Sequence, residues 1–272
     1  MHRENHSGTY HVVLTKYNAA FTDVLTDADR NVATPWLDSR FQLFVEGPLR
    51  SMRLQDRRPD QWLLFLDART PTAQLDALLD AVGDDAELVL IAGHLTDTRV
   101  AQEVGARLPK GTRQLVTTRL DSDDALGVDM LRRVQEFAPS YEGFLNPALG
   151  LQISGRAVLL RWDRSGAFMS YIERVEPSQP VTTVFCIEHY LARSVAPVRR
   201  LPGINYVQVI HGGNLSNQLE GIRVPRRWAS GRVGFDPVGA DTTAGPRPTL
   251  AVLARAAARM VYRELVSAVR GR

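Results

Sequence analysis

Leu115-Val116-Thr117-Thr118-Arg119-Leu120-Asp121-Ser122-Asp123-Asp124-Ala125-Leu126 decides how this chain of 272 residues is read. Its first half is apolar and β-branched, the composition of a strand. Three carboxylates then follow within four positions. Carboxylates at that density repel one another, so the corner needs a counter-charge. A hard divalent cation with oxygen ligands is the usual one. The same residues also suit a helix start, because Ser and Asp are preferred N-caps. A helix over 125–137 is therefore the competing reading.

Outward from this corner the pattern is α/β. Strands are expected at 10–15, 61–67, 87–92 and 115–120. The second is an unbroken apolar run, as buried parallel strands are. Helical spacing fills 36–55, where Pro48 should kink or divide the helix, and also 97–108. Pro71 opens a further helix that reaches Val82. Strands alternating with helices argue for βαβ units, a mainly parallel sheet and a single α/β domain.

The pattern changes after Tyr141. A hairpin is expected around Gly155-Arg156. Thr182-Val184-Cys186 alternates like a strand, and 206–210 is another that ends in His211-Gly212-Gly213-Asn214. Residues 239–248 are rich in Gly, Pro, Thr and Asp and read as a linker. Residues 249–272 read as a basic amphipathic helix, with Arg255, Arg259 and Arg263 at four-residue spacing. Such a helix either packs on the domain or lies on an anionic membrane.

Bulk properties bound the function. The chain is 44% hydrophobic and 23% charged, with net charge +3, which is ordinary globular composition. Cys186 is the sole cysteine, so an intrachain disulfide is excluded and a reducing compartment is implied. The sequence has no apolar run of membrane-spanning length and no signal-peptide core at its start. A cytoplasmic protein is expected, at the inner face of the membrane if the last helix binds lipid. The late arginines lack interleaved aromatics, so nucleic acid is not an expected partner.

Parallel sheets collect binding groups at the carboxyl ends of their strands. Three polar segments occupy such ends here: Thr15-Lys16-Tyr17-Asn18, Asp67-Ala68-Arg69 and the acidic corner. In that order they are similar to the nucleotide-sugar-binding half of GT-A glycosyltransferases. More closely, the chain resembles the bacterial putative rhamnosyltransferase family. The segments that carry this are His11-Val12-Val13-Leu14-Thr15-Lys16-Tyr17-Asn18, Trp36-Leu37-Asp38-Ser39-Arg40-Phe41, Thr117-Thr118-Arg119-Leu120-Asp121-Ser122-Asp123-Asp124-Ala125 and Gln208-Val209-Ile210-His211-Gly212-Gly213-Asn214.

The resemblance implies a GT-A-like α/β fold, with a mainly parallel nucleotide-sugar-binding half at 10–140 and a mixed acceptor half at 141–238. It implies sugar transfer from a nucleoside diphosphate donor to a hydroxyl of a glycan or lipid-linked acceptor, in surface polysaccharide or glycolipid synthesis. Mn²⁺ or Mg²⁺ would be held by Asp121 and Asp123, with His211 completing the shell. Asp124 would orient the loop or touch the donor sugar, and Arg119 would meet a phosphate or a donor hydroxyl. Thr15 and Asn18 would line the nucleoside pocket, and Asp67 would accept a hydrogen bond from base or ribose. Arg40 is a candidate diphosphate contact, a solvated helix arginine being the alternative. Glu173 and Glu188 are candidates for the base that an inverting transfer needs, surface or ion-paired positions being the alternative. Other classes stay open. A nucleotidyltransferase would share the sheet and the nucleotide, although the Gly-rich loop usual after its first strand is missing. A phosphohydrolase would need more histidines. A non-catalytic nucleotide-sugar or glycan-binding module would not need an intact Asp-x-Asp.

Overall fold

Strand side chains point alternately to opposite faces, and here that parity sorts the central strands into two apolar layers. Val13, Trp62, Leu64, Leu66 and Val116 face one core, while Val12, Leu14, Leu63, Phe65 and Leu115 face another. A computed structural model of the chain describes residues 8–20, 30–155, 157–177, 179–211 and 220–236. The linker expected at 239–248 and the helix expected at 249–272 lie outside the described residues.

The first half contains β1 (Thr9–Lys16), α1 (Thr34–Phe44), α2 (Arg50–Arg53), β2 (Gln61–Asp67), α3 (Thr72–Val82), β3 (Glu87–Ile91), α4 (Asp97–Gly105) and β4 (Gln114–Arg119). The second contains β5 (Ala125–Leu126), α5 (Met130–Phe137), β6 (Gly143–Asn146), β7 (Leu149–Ser154), β8 (Ala157–Trp162), β9 (Ser170–Arg174), β10 (Val198–Arg200), β11 (Ile204–Val209), β12 (Ile222–Arg223) and α6 (Arg226–Val233). A seven-stranded sheet has the order β10-β6-β9-β4-β1-β2-β3. Its strands are parallel except β9, which runs antiparallel between β4 and β6. A second sheet has the order β12-β8-β7-β11-β5. It packs on α6 through Leu151, Val207, Ala229 and Val233.

The expected strands and helices of the first half form, each with a local cause. Thr96 caps α4 by accepting from the Arg99 N–H at 3.1 Å. Pro71 stands at the N-cap of α3. Pro48 has no N–H to give, and a π-helical turn at Val45–Leu49 carries the chain from α1 to α2. The β7–β8 hairpin closes as expected, with Ser154 opposite Ala157.

Two expectations are corrected. The helix expected from 125 begins at Met130, because Ala125 and Leu126 pair with Val207 and Tyr206 of β11. The acidic residues therefore do not cap a helix. No strand forms at Thr182-Val184-Cys186. The Thr182 and Thr183 N–H groups donate to the Glu173 carboxylate at 2.9–3.1 Å, and the Val184 N–H donates to Thr117 Oγ1 at 2.8 Å. Thr183 also takes φ +66°, which ladder pairing does not tolerate.

The buried Tyr206 ring stacks on Phe168, with centroids 4.1 Å apart, and covers Gly150 so closely that a Cβ there would lie 2.3 Å from the ring. Gly150→Ala should therefore cost about 1–3 kcal/mol by overpacking, read as a lower urea midpoint. Buried His11 supplies a second test. Its ring pairs with Thr118 Oγ1 at 2.8 Å and Gln135 Nε2 at 3.0 Å. Burial, aided by Arg57, lowers its pKa to about 3. The unfolded chain, with histidine near 6.5, then binds the extra proton between those values. The stability contributed by neutral His11 is complete above about pH 6.5 and is lost as pH falls towards 3. The denaturation midpoint of the wild type should fall more steeply from pH 6.5 to 4 than that of His11→Gln.

Candidate functional site

The acidic corner leaves the carboxyl end of β4 and enters β5, so it joins the two sheets. It is stitched to the end of β1 by Leu120 N–H to Leu14 O at 3.1 Å and Ser122 Oγ to Tyr17 O at 3.3 Å. On its other side, buried Asp124 accepts the Val209 N–H of β11 at 2.9 Å. The π-helical turn lies against its back, where a Cβ on Gly47 would be 3.2 Å from Asp124 O.

Guanidinium groups answer the carboxylates. Arg119 grips Asp121 with two bonds, Nε–Oδ1 at 2.9 Å and Nη2–Oδ2 at 3.0 Å. Asp123 Oδ2 receives both Arg40 Nη1 at 2.8 Å and His211 Nε2 at 2.9 Å. Arg40 is braced over the Trp36 ring at 4.7 Å and reaches Ser122 Oγ at 3.3 Å. Lys16 and Arg119 both lie over the Phe185 ring, at 5.1 and 5.6 Å. Burial pushes the Asp121 carboxyl up, but Arg119 outweighs it and the pKa ends below the usual value. Burial and then the charges of Asp123 and Asp121 raise Asp124 well above it.

The structure thus brings Arg40, Arg119, Asp121, Asp123, Asp124 and His211 to one corner. Asn18 and Asp67 end the neighbouring strands. The Asn18 amide donates to Thr70 Oγ1 at 2.9 Å and Asn31 O at 3.2 Å, and its Oδ1 accepts the Asp67 N–H at 3.1 Å. Burial raises the Asp67 carboxyl, but hydrogen bonds from the Arg69 side chain and backbone hold it below its usual range.

Two residues are placed elsewhere. Thr15 is fully buried and accepts from Trp62 Nε1 at 2.9 Å, so it faces the core and not an open pocket. Glu173 pairs in register with Leu115, at the start of β4, so it lies at the far end of the sheet from Asp121. Its carboxylate ties down the 182–183 backbone. Glu188 is close to the corner. It precedes a 3₁₀ turn, His189–Ser194, and its charge acts on Arg119 and His189. His189 is a site residue that the sequence pattern did not single out. Burial and then Arg119 lower its pKa, against Glu188, Asp163 and Asp121. Its only sequence signal is adjacency to Glu188.

Among the described residues, no three His, Cys, Asp or Glu side chains converge as a metal-ligand set. Asp121 is turned to Arg119. Asp123 and His211 do meet, and that pair suits a hard or borderline cation that takes one or two protein ligands and completes its shell with substrate phosphate oxygens and water.

Residues 18–222 match the family described as "Putative rhamnosyl transferase". The chain belongs to this family. No curated protein matches it. Among solved structures, S. aureus TarS 1–349 in complex with UDP-GlcNAc is similar at TM-score 0.45 and 11% identity, over 76% of this chain and 60% of that one. The family member thus spans less than two thirds of TarS 1–349. A protein of Desulfovibrio desulfuricans G20 described as a "putative nucleotide-diphospho-sugar transferase" gives TM-score 0.37 at 11% identity, over 75% and 81% of the two chains. Rv0371C of Mycobacterium tuberculosis H37Rv, in complex with manganese, gives 0.34 at 14% identity, over 75% and 89%. The mixed, mostly parallel main sheet is the α/β architecture that the GT-A resemblance implies. No helix among the described residues is long and apolar enough to cross a membrane.

Asp124 yields a structural prediction. Asp124→Asn keeps an acceptor for the Val209 N–H and removes a charge from between two others, so its denaturation midpoint should match or exceed that of the wild type. Asp124→Ala removes that acceptor and should lose about 1 kcal/mol.

Proposed function

We propose that this chain moves a sugar from a nucleoside diphosphate donor to an acceptor hydroxyl, rhamnose being the sugar that the family description names. One observation carries this reading. Asp123 and His211, from opposite sheets, meet at 2.9 Å in a corner that also gathers Lys16, Arg40 and Arg119. Negative charge accumulates on the leaving diphosphate as the bond from its oxygen to the anomeric carbon breaks. Preorganised cations at that position stabilise it more than water does. Arg40 and Arg119 suit phosphate oxygens because a guanidinium presents paired N–H donors. Asp123 and His211 would hold Mn²⁺ or Mg²⁺, which when bound supplies Lewis-acid stabilisation of the diphosphate. Asp121 keeps Arg119 oriented, and Asp124 keeps the corner in place. Asn18 and Asp67, at adjacent strand ends, shape the nucleoside side. Glu188 is the remaining candidate to take the acceptor proton while the hydroxyl oxygen attacks the anomeric carbon.

The acceptor in this reading is a glycan or a lipid-linked sugar, and the reaction belongs to surface polysaccharide or glycolipid synthesis at the cytoplasmic face. Thermal shift with dTDP, UDP and GDP, each with and without Mn²⁺, tests the donor. At ligand near a hundred times Kd, one nucleotide with metal should raise the midpoint by roughly 5–10 °C. Asp123→Asn should erase that shift while leaving the unliganded midpoint within about 2 °C, since its amide oxygen still accepts from Arg40 although the carboxylate charge that would hold the ion is gone. No shift with any nucleotide would end the proposal. Binding without nucleoside diphosphate release to any acceptor would favour a binding module.

A further inference from the structure

The two guanidinium groups of the corner hold their carboxylates in different ways. Arg119 forks onto Asp121, with Nε on Oδ1 and Nη2 on Oδ2, so its paired donors are committed. Arg40 does not fork. Among the described residues, both of its hydrogen-bonding contacts leave from the one nitrogen Nη1, at 2.8 Å to Asp123 Oδ2 and 3.3 Å to Ser122 Oγ. The guanidinium rests on Trp36, one turn earlier on α1, 4.7 Å from the ring centroid. Attraction to a ring face sets no single direction within the plane, so the group can turn without leaving its support. Asp38, the acid beside it on α1, accepts Gln74 Nε2 at 2.6 Å.

Asp123 Oδ2 already receives two donors, Arg40 Nη1 and His211 Nε2. A divalent ion held by Asp123 and His211 would share that carboxylate with the guanidinium. Two cations on one carboxylate repel each other. The side chains of Arg40 and Asp123 are each only 12% exposed, so water and salt screen that repulsion weakly. A diphosphate relieves it, because its oxygens accept the paired donors of a guanidinium that has left Asp123.

We infer that Arg40 is an exchangeable counter-ion, which neutralises Asp123 by itself and turns to a diphosphate when nucleotide and ion bind together. Arg40 opposes a divalent ion that arrives alone. A nucleoside diphosphate that draws Arg40 away opens Asp123 to the ion. The corner thereby favours the ion and the nucleotide as a pair over either one, a coupling that one side chain carries. This rests on the reading of the corner as a diphosphate site and adds how its two ligands depend on each other.

Two binding titrations of the full chain test it. Mn²⁺ is titrated without nucleotide, and the free ion is read by electron paramagnetic resonance. Arg40→Gln should bind Mn²⁺ about tenfold more tightly than the wild type. Arg40→Lys keeps the charge and should stay within about twofold of the wild type, as should Arg99→Gln, the same loss of charge on α4. Inorganic pyrophosphate is titrated calorimetrically in the presence of EDTA. Arg40→Gln should bind it about tenfold more weakly. One substitution then moves two affinities in opposite directions, which a merely structural role would not do. Mn²⁺ binding by Arg40→Gln that is no tighter than wild type overturns the inference, as does undiminished pyrophosphate binding. If Mn²⁺ with a nucleoside diphosphate still raises the wild-type melting midpoint in either case, the exchange falls and the proposed reaction stands. No Mn²⁺ binding to wild type or variant, with or without nucleotide, overturns the exchange together with the ion.

Discussion

Asp124 accepts a backbone N–H from the other sheet, and the candidate site depends on that bond. The main sheet ends at Arg119 and the second sheet carries Val209, 85 residues apart from Asp124 in sequence. That hydrogen bond extends the pairing of β5 with β11 towards the corner and brings His211 within reach of Asp123. The arrangement is costly, because Asp124 is out of water and beside two like charges, which is why its proton affinity rises. The surrounding backbone compensates. Gly47 allows the helical turn to lie flat against the loop, and Ser122 and Leu120 fasten it to the end of β1.

The corner has almost no solitary charge. Asp121 has Arg119, and Asp123 has Arg40 and His211. Asp121 and Asp123 thus each have a guanidinium in contact, and each guanidinium is backed by a ring, Trp36 for Arg40 and Phe185 for Arg119. An incoming anion would meet donors already aimed, with little side-chain ordering left to complete.

Much of this was legible in the sequence where the signal was local. Apolar runs gave the parallel strands, Pro48 marked the helix irregularity, and the density of Asp at 121–124 marked the corner. Parity would also have turned Thr15 inward, since it shares a face with Val13. Contacts distant in sequence were not legible. Ala125-Leu126 continues the helical spacing of the next segment, yet pairing with β11 overrides it. β9 is five residues long and has partners on both sides, so nothing near Tyr171 announces that Glu173 points away from the site. The alternation at Thr182–Cys186 was real, but Glu173 and Thr117 consume the N–H groups that a ladder would need.

The π-helical turn at Val45–Leu49 changes the phase of the long helix. One residue is added without ending the coil, so everything after Leu49 is rotated by about 100° relative to an uninterrupted α-helix. Before the insertion, Arg40 reaches Asp123. After it, Ser51 Oγ accepts the Leu126 N–H at 3.2 Å, and Gln55 accepts from Leu131 N–H and donates to Gly127 O. A single helix thereby holds the link between the sheets at both of its ends. A homologue with one residue fewer at this place would bring the two faces back into step, and would have to surrender either the arginine's hold or the serine's.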